Sequence, residues 1–183
     1  MGITIDDGRG TGQSAGVSIT GNRLDVSSRA DERIYYISRD NGDAYTCTSI
    51  DGGAVAGEYN FYFKNTSTTQ KFYVKDIVVG SSVLAIFKVS KVTGTGSGSA
   101  VTITNLNFTS GNVAVATVLG NGPVTGLSES AVVDMVSVEA DATETMDFHD
   151  ALVLGQGDAI AVEYDTGAGG SVHITMLGYF DVE

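Results

Sequence analysis

The chain has 183 residues, 42% of them hydrophobic and 17% charged, and it carries a formal net charge of −12 with a sequence pI near 4.3. That length suits one domain with a real core. So acidic a surface repels phosphate, which argues against nucleic acid as a partner, and without a polybasic cluster it argues against an anionic membrane too.

Gly is abundant at 24 residues, Pro occurs once and Trp is absent. Abundant Gly among Thr, Ser and Val is what many short strands joined by tight turns require. The segment Gly8 to Gly16 reads as a flexible arm, so residues 1–16 are expected to lie outside the packed domain, which should occupy 17–183. Val17 to Val26 predicts a hairpin across Gly21-Asn22. Arg33 to Ser38 and Ala44 to Ile50 read as strands flanking a polar turn over Arg39–Asp43.

Glu58 to Lys64 places Tyr59, Phe61 and Phe63 on one face. In Lys71 to Val79, Phe72 and Val74 are out of phase with Ile77 and Val79, which predicts a bulge at Lys75-Asp76. Ser82 to Val92 reads as a long strand, and the Gly/Ser/Thr run Thr93 to Ser99 as a flexible loop. Strands follow over Val101–Phe108 and Val113–Leu119, then a loop over Gly120–Gly126. Ala131 to Val138 reads as strand rather than helix because of its β-branched residues. Asp158 to Tyr164 and Ser171 to Phe180 form a closing hairpin. Ile160, Val162, Tyr164, Val172, Ile174, Met176 and Phe180 are the expected core.

Eight or more strands with frequent turns and no sustained helical period predict an all-β protein. The expected form is an antiparallel, jelly-roll-like β-sandwich with negligible helix and an extended N-terminal arm.

No motif points to catalysis. Gly10-Thr-Gly-Gln-Ser-Ala15 matches a dinucleotide fingerprint on paper, but strand-like residues follow it where a helix is needed. His149 and His173 lack partners at metal-ligand spacing. The lone Cys47 reads as a buried structural thiol. Glu139, Asp141, Glu144, Asp147 and Asp150 offer carboxylates, without the aromatic platform a sugar-processing site usually has. The chain is therefore expected not to be an enzyme and to need no cofactor or metal. Its start lacks the charged and apolar regions of a signal peptide, so synthesis in a host cytoplasm is expected.

Tyrosines on the polar faces of strands mark either interface anchors or strands buried on both faces. The candidate interface residues are Ile3, Ile5 and Val17, which bracket the arm, with Tyr62, Tyr73, His173 and Tyr179.

The stretch Glu58-Tyr-Asn-Phe-Tyr-Phe-Lys-Asn-Thr-Ser-Thr-Thr-Gln-Lys-Phe-Tyr-Val-Lys-Asp-Ile77 resembles a pattern in tailed-phage virion proteins. There an aromatic strand ends in Lys-Asn, a Ser/Thr turn follows and a second strand leads to Ile. Leu152 to Tyr164 and Val172 to Phe180 resemble the closing strands of jelly-roll domains in such proteins, and the Gly120–Gly126 loop also fits. The resemblance implies a non-enzymatic structural component of a virus particle, located in the virion. It implies a capsid decoration or accessory protein that binds the major capsid protein or another virion protein and self-associates as a homo-oligomer, often a trimer. The chain lacks a long repetitive shaft, which favours a compact capsid-bound unit over a fibre. The alternative is a receptor- or carbohydrate-binding domain of a phage tail or fibre.

Overall fold

A computed structural model describes residues 33–181, together with the backbone of three short N-terminal strands. The chain divides into two compact units, Met1–Glu32 and Arg33–Glu183. In the first, β1 (Ile5–Asp6) pairs antiparallel with β2 (Ser14–Ser18), and β2 with β3 (Arg23–Asp25). The antiparallel pairing expected of the hairpin is present, with Val17 opposite Leu24, and its link at Gly21-Asn22 lies outside the described residues.

The second unit opens with a single α-turn, α1 (Arg33–Tyr36), which runs into a π-helical turn over Ile37–Asn41. A strand was expected here. Ile34 and Ile37 are three residues apart and both are buried, so helical spacing turns both onto one face, which a strand's period of two cannot do. Gly42 ends the turn at φ 67°, and its N–H returns to the Ile37 carbonyl at 2.8 Å.

The rest is antiparallel strand: β4 (Ala44–Ala54), β5 (Glu58–Asn65), β6 (Lys71–Ser81), β7 (Ala85–Ala100), β8 (Ile103–Asn105), β9 (Ala116–Val138), β10 (Ala142–Leu154), β11 (Ala159–Gly167) and β12 (Gly170–Asp181). One sheet has the order β10-β6-β12-β4-β8. It packs on a second layer in which β11, β5, β9 and β7 close into a ring of paired strands. The result is the expected all-β, antiparallel sandwich.

The core between the layers is built from the inward faces of both. Phe61, Phe63, Phe87, Val89, Ile160, Val162 and Tyr164 from the ring meet Phe72, Val74, Ile77, Val79, Val172, Ile174, Met176 and Phe180 from the sheet. All seven expected core residues are buried. Phe63 and Phe72 bring the layers together at 4.4 Å between ring centroids, and Phe72 meets Phe180 at 4.9 Å. The bulge falls where the phase change places it. Leu177 faces Asp76 and Gly178 faces Val74, so Lys75 is skipped, and the same residue is skipped against β10.

The ring encloses a smaller core of Tyr62, Val92, Val124, Ala159 and Ala161. Two expected loops form its wall. Thr93–Ser99 continues β7, and Gly120–Gly126 continues β9. The glycines of Thr-Gly-Thr-Gly-Ser-Gly-Ser alternate, so Gly96 and Gly98 share one face. A methyl at Gly96 would lie 3.3 Å from the Tyr62 ring and 3.1 Å from Leu119, and one at Gly98 would lie 3.3 Å from Val124. The strand approaches this closely because that face has no side chains. Conversely, the strand expected over Val101–Phe108 shrinks to β8, and the one expected over Val113–Leu119 starts only at Ala116. The long strand β10 had no counterpart in the sequence reading.

Candidate interaction surface

Cys47 is buried, and burial pushes its thiol up to about 12, as a structural cysteine requires. Among the described residues, no three His, Cys, Asp or Glu side chains are grouped to hold a metal, and no helix is long and apolar enough to cross a membrane.

A dense ionic cluster lies on the ring. Lys88 Nζ is 2.7 Å from Glu163, 3.1 Å from Glu129 and 3.3 Å from Asp165, and Ser90 donates to Glu129 at 2.9 Å. The hydrogen bond to Glu163 is the main reason the ammonium is held well above its ordinary range, while Lys88 and Ser90 hold Glu129 below the usual carboxylate value. A lysine fixed as a cation among three carboxylates ties β7, β9 and β11 together.

Of the four expected interface residues whose side chains are described, two lie in the interior and two are half-buried. Tyr62 is 2% exposed and lies beneath the glycine face of β7. Tyr179 does point away from the main core, but Ile34 and Ile37 cover it and leave it 0% exposed. Burial, with Asp150 nearby, pushes its hydroxyl far above the ordinary tyrosine value. Tyr73 is half-buried and stacks on Tyr179, with centroids 5.2 Å apart and planes inclined by 7°. His173 is half-buried opposite Ile50, with its ring over Gly80. Tyr62 and Tyr179 are thus corrected from interface to interior. Strands buried on both faces, not anchors, explain their tyrosines. The side chains of Ile3, Ile5 and Val17 lie outside the described residues.

A different apolar surface is presented where α1 and the π-turn meet the segment between β8 and β9. Phe108 is 86% exposed, Tyr35 58%, and Tyr36 and Leu106 are also open. Arg39 lies 5.8 Å from the Tyr35 ring centroid and 5.9 Å from that of Tyr36, and is paired with Asp40 at 2.8 Å. Tyr35, Ser38, Arg39, Leu106, Asn107, Phe108 and Thr109 border an open cavity of about 500 Å³.

Hydrogen bonds fix this surface. Asn105 Nδ2 donates to the Gly42 carbonyl at 2.7 Å, and Asn107 Nδ2 to that of Ser38 at 3.0 Å. Asn112 Nδ2 donates to the Asn41 carbonyl and to Asp43 Oδ1, both at 2.9 Å, and Ser110 Oγ to the Gly42 carbonyl at 3.2 Å. Within the loop, Asn107 Oδ1 accepts from the backbone and hydroxyl of Thr109 at 3.1 and 2.7 Å, a turn that projects Phe108 outward. Side-chain amides thus clamp the loop onto the π-turn, and an exposed aromatic ring stands on a fixed base. Exposed aromatic and Arg side chains on a rigid support are the composition of binding hot spots.

Sequence reasoning missed this site. Phe108 was read as the end of a strand and Tyr35 as part of one. The available signal was Asn-x-Asn-x-Thr-Ser-x-Asn over 105–112, a run of turn-forming side chains.

No family model, no curated protein and no solved structure matches the chain.

Proposed function

We propose that this chain is a non-enzymatic structural component of a virus particle of the tailed-phage type. In this reading it is made in the host cytoplasm and assembled into the virion as a capsid decoration or accessory protein on the major capsid protein or another virion protein. The jelly-roll character of the sandwich and self-association into a homo-oligomer belong to the same reading. The observation that carries it is the clamped surface around Phe108, where an apolar, aromatic patch is held open on an acidic β-sandwich. Isolated monomers rarely keep such patches exposed, and rigid presentation lowers the entropy cost of docking. The resemblance of residues 58–77, 152–164 and 172–180 to virion proteins supplies the kind of assembly.

The test is to delete the gene from the genome that carries it and to image particles with and without the protein by cryo-microscopy. The reading expects density for the sandwich, placed with the Phe108 end against a neighbouring protein, that vanishes on deletion. Particles that contain no copies of the chain would overturn it.

A second reading, a receptor- or carbohydrate-binding domain of a tail or fibre, is favoured by the Tyr35 and Phe108 rings beside Arg39, since ring faces stack on sugars. Binding on a glycan array that is lost in Phe108→Ala would select it.

A further inference from the structure

Two free strand edges meet at the turn between β9 and β10. On the ring, β9 pairs with β5 over residues 116–124. Over 125–138 it has β7 on one side and, among the described residues, no strand on the other. In the sheet, β10 is the terminal strand and pairs with β6 alone. The turn over residues 139–141 joins the two, closed by the Ala142 N–H on the Glu139 carbonyl at 3.2 Å. Free edges are templates for a further strand. Bulges bound the regular part of each. Ser130 and Val133 are skipped in the pairing of β9 with β7, and residues 148–151 loop out of the pairing of β10 with β6. The regular runs are 134–138 on β9 and 142–147 on β10.

Each run carries one acid in the phase of the core. On β9, Val138, Val136 and Asp134 lie opposite Ala85, Phe87 and Val89, all buried in the main core. On β10, Glu144 lies opposite the buried Val79, and Met146 opposite the buried Ile77. Directly paired residues project from the same face, so Asp134 and Glu144 stand on the core-facing side. Val138 and Met146 are buried there, and Val136 and Ala142 pack on the core, yet Asp134 and Glu144 are exposed. Asp134 Oδ1 accepts the N–H of Met135 at 2.8 Å, and among the described residues neither carboxylate has a cation partner. Asp134 is also the lone charge in Ala-Val-Val-Asp-Met-Val-Ser-Val over 131–138. The rest of that run is β-prone and apolar, with Val132, Val133 and Met135 exposed.

We infer that Asp134 and Glu144 are guards: they keep these two open edges from adding a strand of another copy of the chain. A strand laid on either edge would cover the acid that stands in core phase and strip it of water. A carboxylate buried without a partner is costly. Another copy of these edges brings no relief, because residues 129–147 contain acids and no Lys, Arg or His. Charges directed inward on an edge strand, together with bulges, are how sheets avoid joining edge to edge, and a charge inside an apolar β-prone run acts in the same way. The inference is independent of the Phe108 surface and of the viral assignment. It assigns any self-association of the chain to surfaces other than these edges.

The experiment uses the purified full-length chain in sedimentation velocity and amide hydrogen exchange, with Asp134→Val and Glu144→Val made singly and together. Both positions are exposed, so the variants should keep the β-type circular dichroism of the parent. Asp134→Asn and Glu144→Gln, which remove the charge and keep the shape, carry the same test if a valine variant does not fold. Each single variant should form species larger than the parent that grow with concentration, and the double variant should form them at the lowest concentration. On association, exchange should slow at the amides of 134–138 and 142–147 that point away from β7 and β6. Two controls should sediment as the parent does. Thr145→Val places the same side chain on the outer face of β10, and Glu139→Gln removes a charge from the turn, outside both regular runs. A double variant with parental sedimentation, or association without slowed exchange at these amides, would overturn the inference. So would association of either control as strong as that of Glu144→Val.

Discussion

The two cores of this sandwich are sealed in opposite ways. Between the layers, large side chains interdigitate, with Phe61, Phe63, Phe72, Phe87 and Tyr164 all at or near complete burial. Inside the ring, Tyr62 is covered by a strand that approaches with no side chain at all, along Gly96 and Gly98. The first core draws its stability from apolar volume, the second from closeness of backbone. The same ring face also carries Lys88 with its three carboxylates, so the small core is completed by charge pairing where the large one is completed by aromatic packing. Removing atoms should therefore damage the first core, and adding them should damage the second.

Phe87→Ala breaks the comparison at its strongest point. Phe87 is fully buried and packs on Tyr164 at 5.7 Å. Truncation should cost about 3–5 kcal/mol, a large part of the stability of a domain this size, as read from urea denaturation. Gly96→Val tests the other side. Its side chain meets Tyr62 and Leu119 at once, and overpacking of this kind costs about 1–3 kcal/mol. Gly96→Val should also expose Tyr62, whose fluorescence should become quenchable, while the inter-layer core stays intact. A Gly96→Val protein as stable as the parent would remove the closeness argument.

The amide clamp predicts a smaller and more local effect. Asn112→Ala removes the bonds to Asn41 and Asp43 and should cost about 1 kcal/mol, with increased mobility of Phe108 seen by NMR relaxation. The weakest expected effect is on pH dependence. Asp40, Glu129 and Asp147 are all held below the ordinary carboxylate range, by Arg39, by Lys88 and by the His149 backbone N–H respectively. A carboxyl with a lowered folded-state pKa contributes stability above its unfolded value of about 4, and this is lost as pH falls through the folded value. Thermal midpoints should thus be flat from pH 7 to about 5 and decline below about 4. Lys88→Met should flatten the decline, because Glu129 loses the partner that depresses it.

The large core was legible in the sequence because period-two alternation of apolar residues is its direct cause. The run from Ile160 to Phe180 and the phase change at Lys75 needed no tertiary information. The small core was not legible. Thr-Gly-Thr-Gly-Ser-Gly-Ser has the composition of a linker, and only the tyrosine it covers reveals that its glycines alternate for a reason. Tyr62 and Tyr179 were correctly assigned to the faces opposite the main core, but exposure does not follow from direction. Each is covered by a segment whose form differs from the expectation: Tyr62 by the Thr93–Ser99 part of β7, expected as a loop, and Tyr179 by the helical turns over Arg33–Asn41, expected as a strand and a polar turn. The Phe108 surface was missed for a related reason. Its residues come from two segments that meet only because of amide bonds between residues about seventy positions apart.

Amide hydrogen exchange across Thr93–Ser99 tests the central claim most directly, since this segment is either a glycine-faced strand or a linker. The structure pairs Gly94 with Leu127, Ser97 with Thr125 and Ser99 with Gly120. The account predicts that the amides of this segment directed at β9 are protected to nearly the same degree as those of Phe87 and Val89 on the same strand. Exchange of the whole segment at the rate of an unstructured peptide, with Phe87 and Val89 still protected, would contradict it.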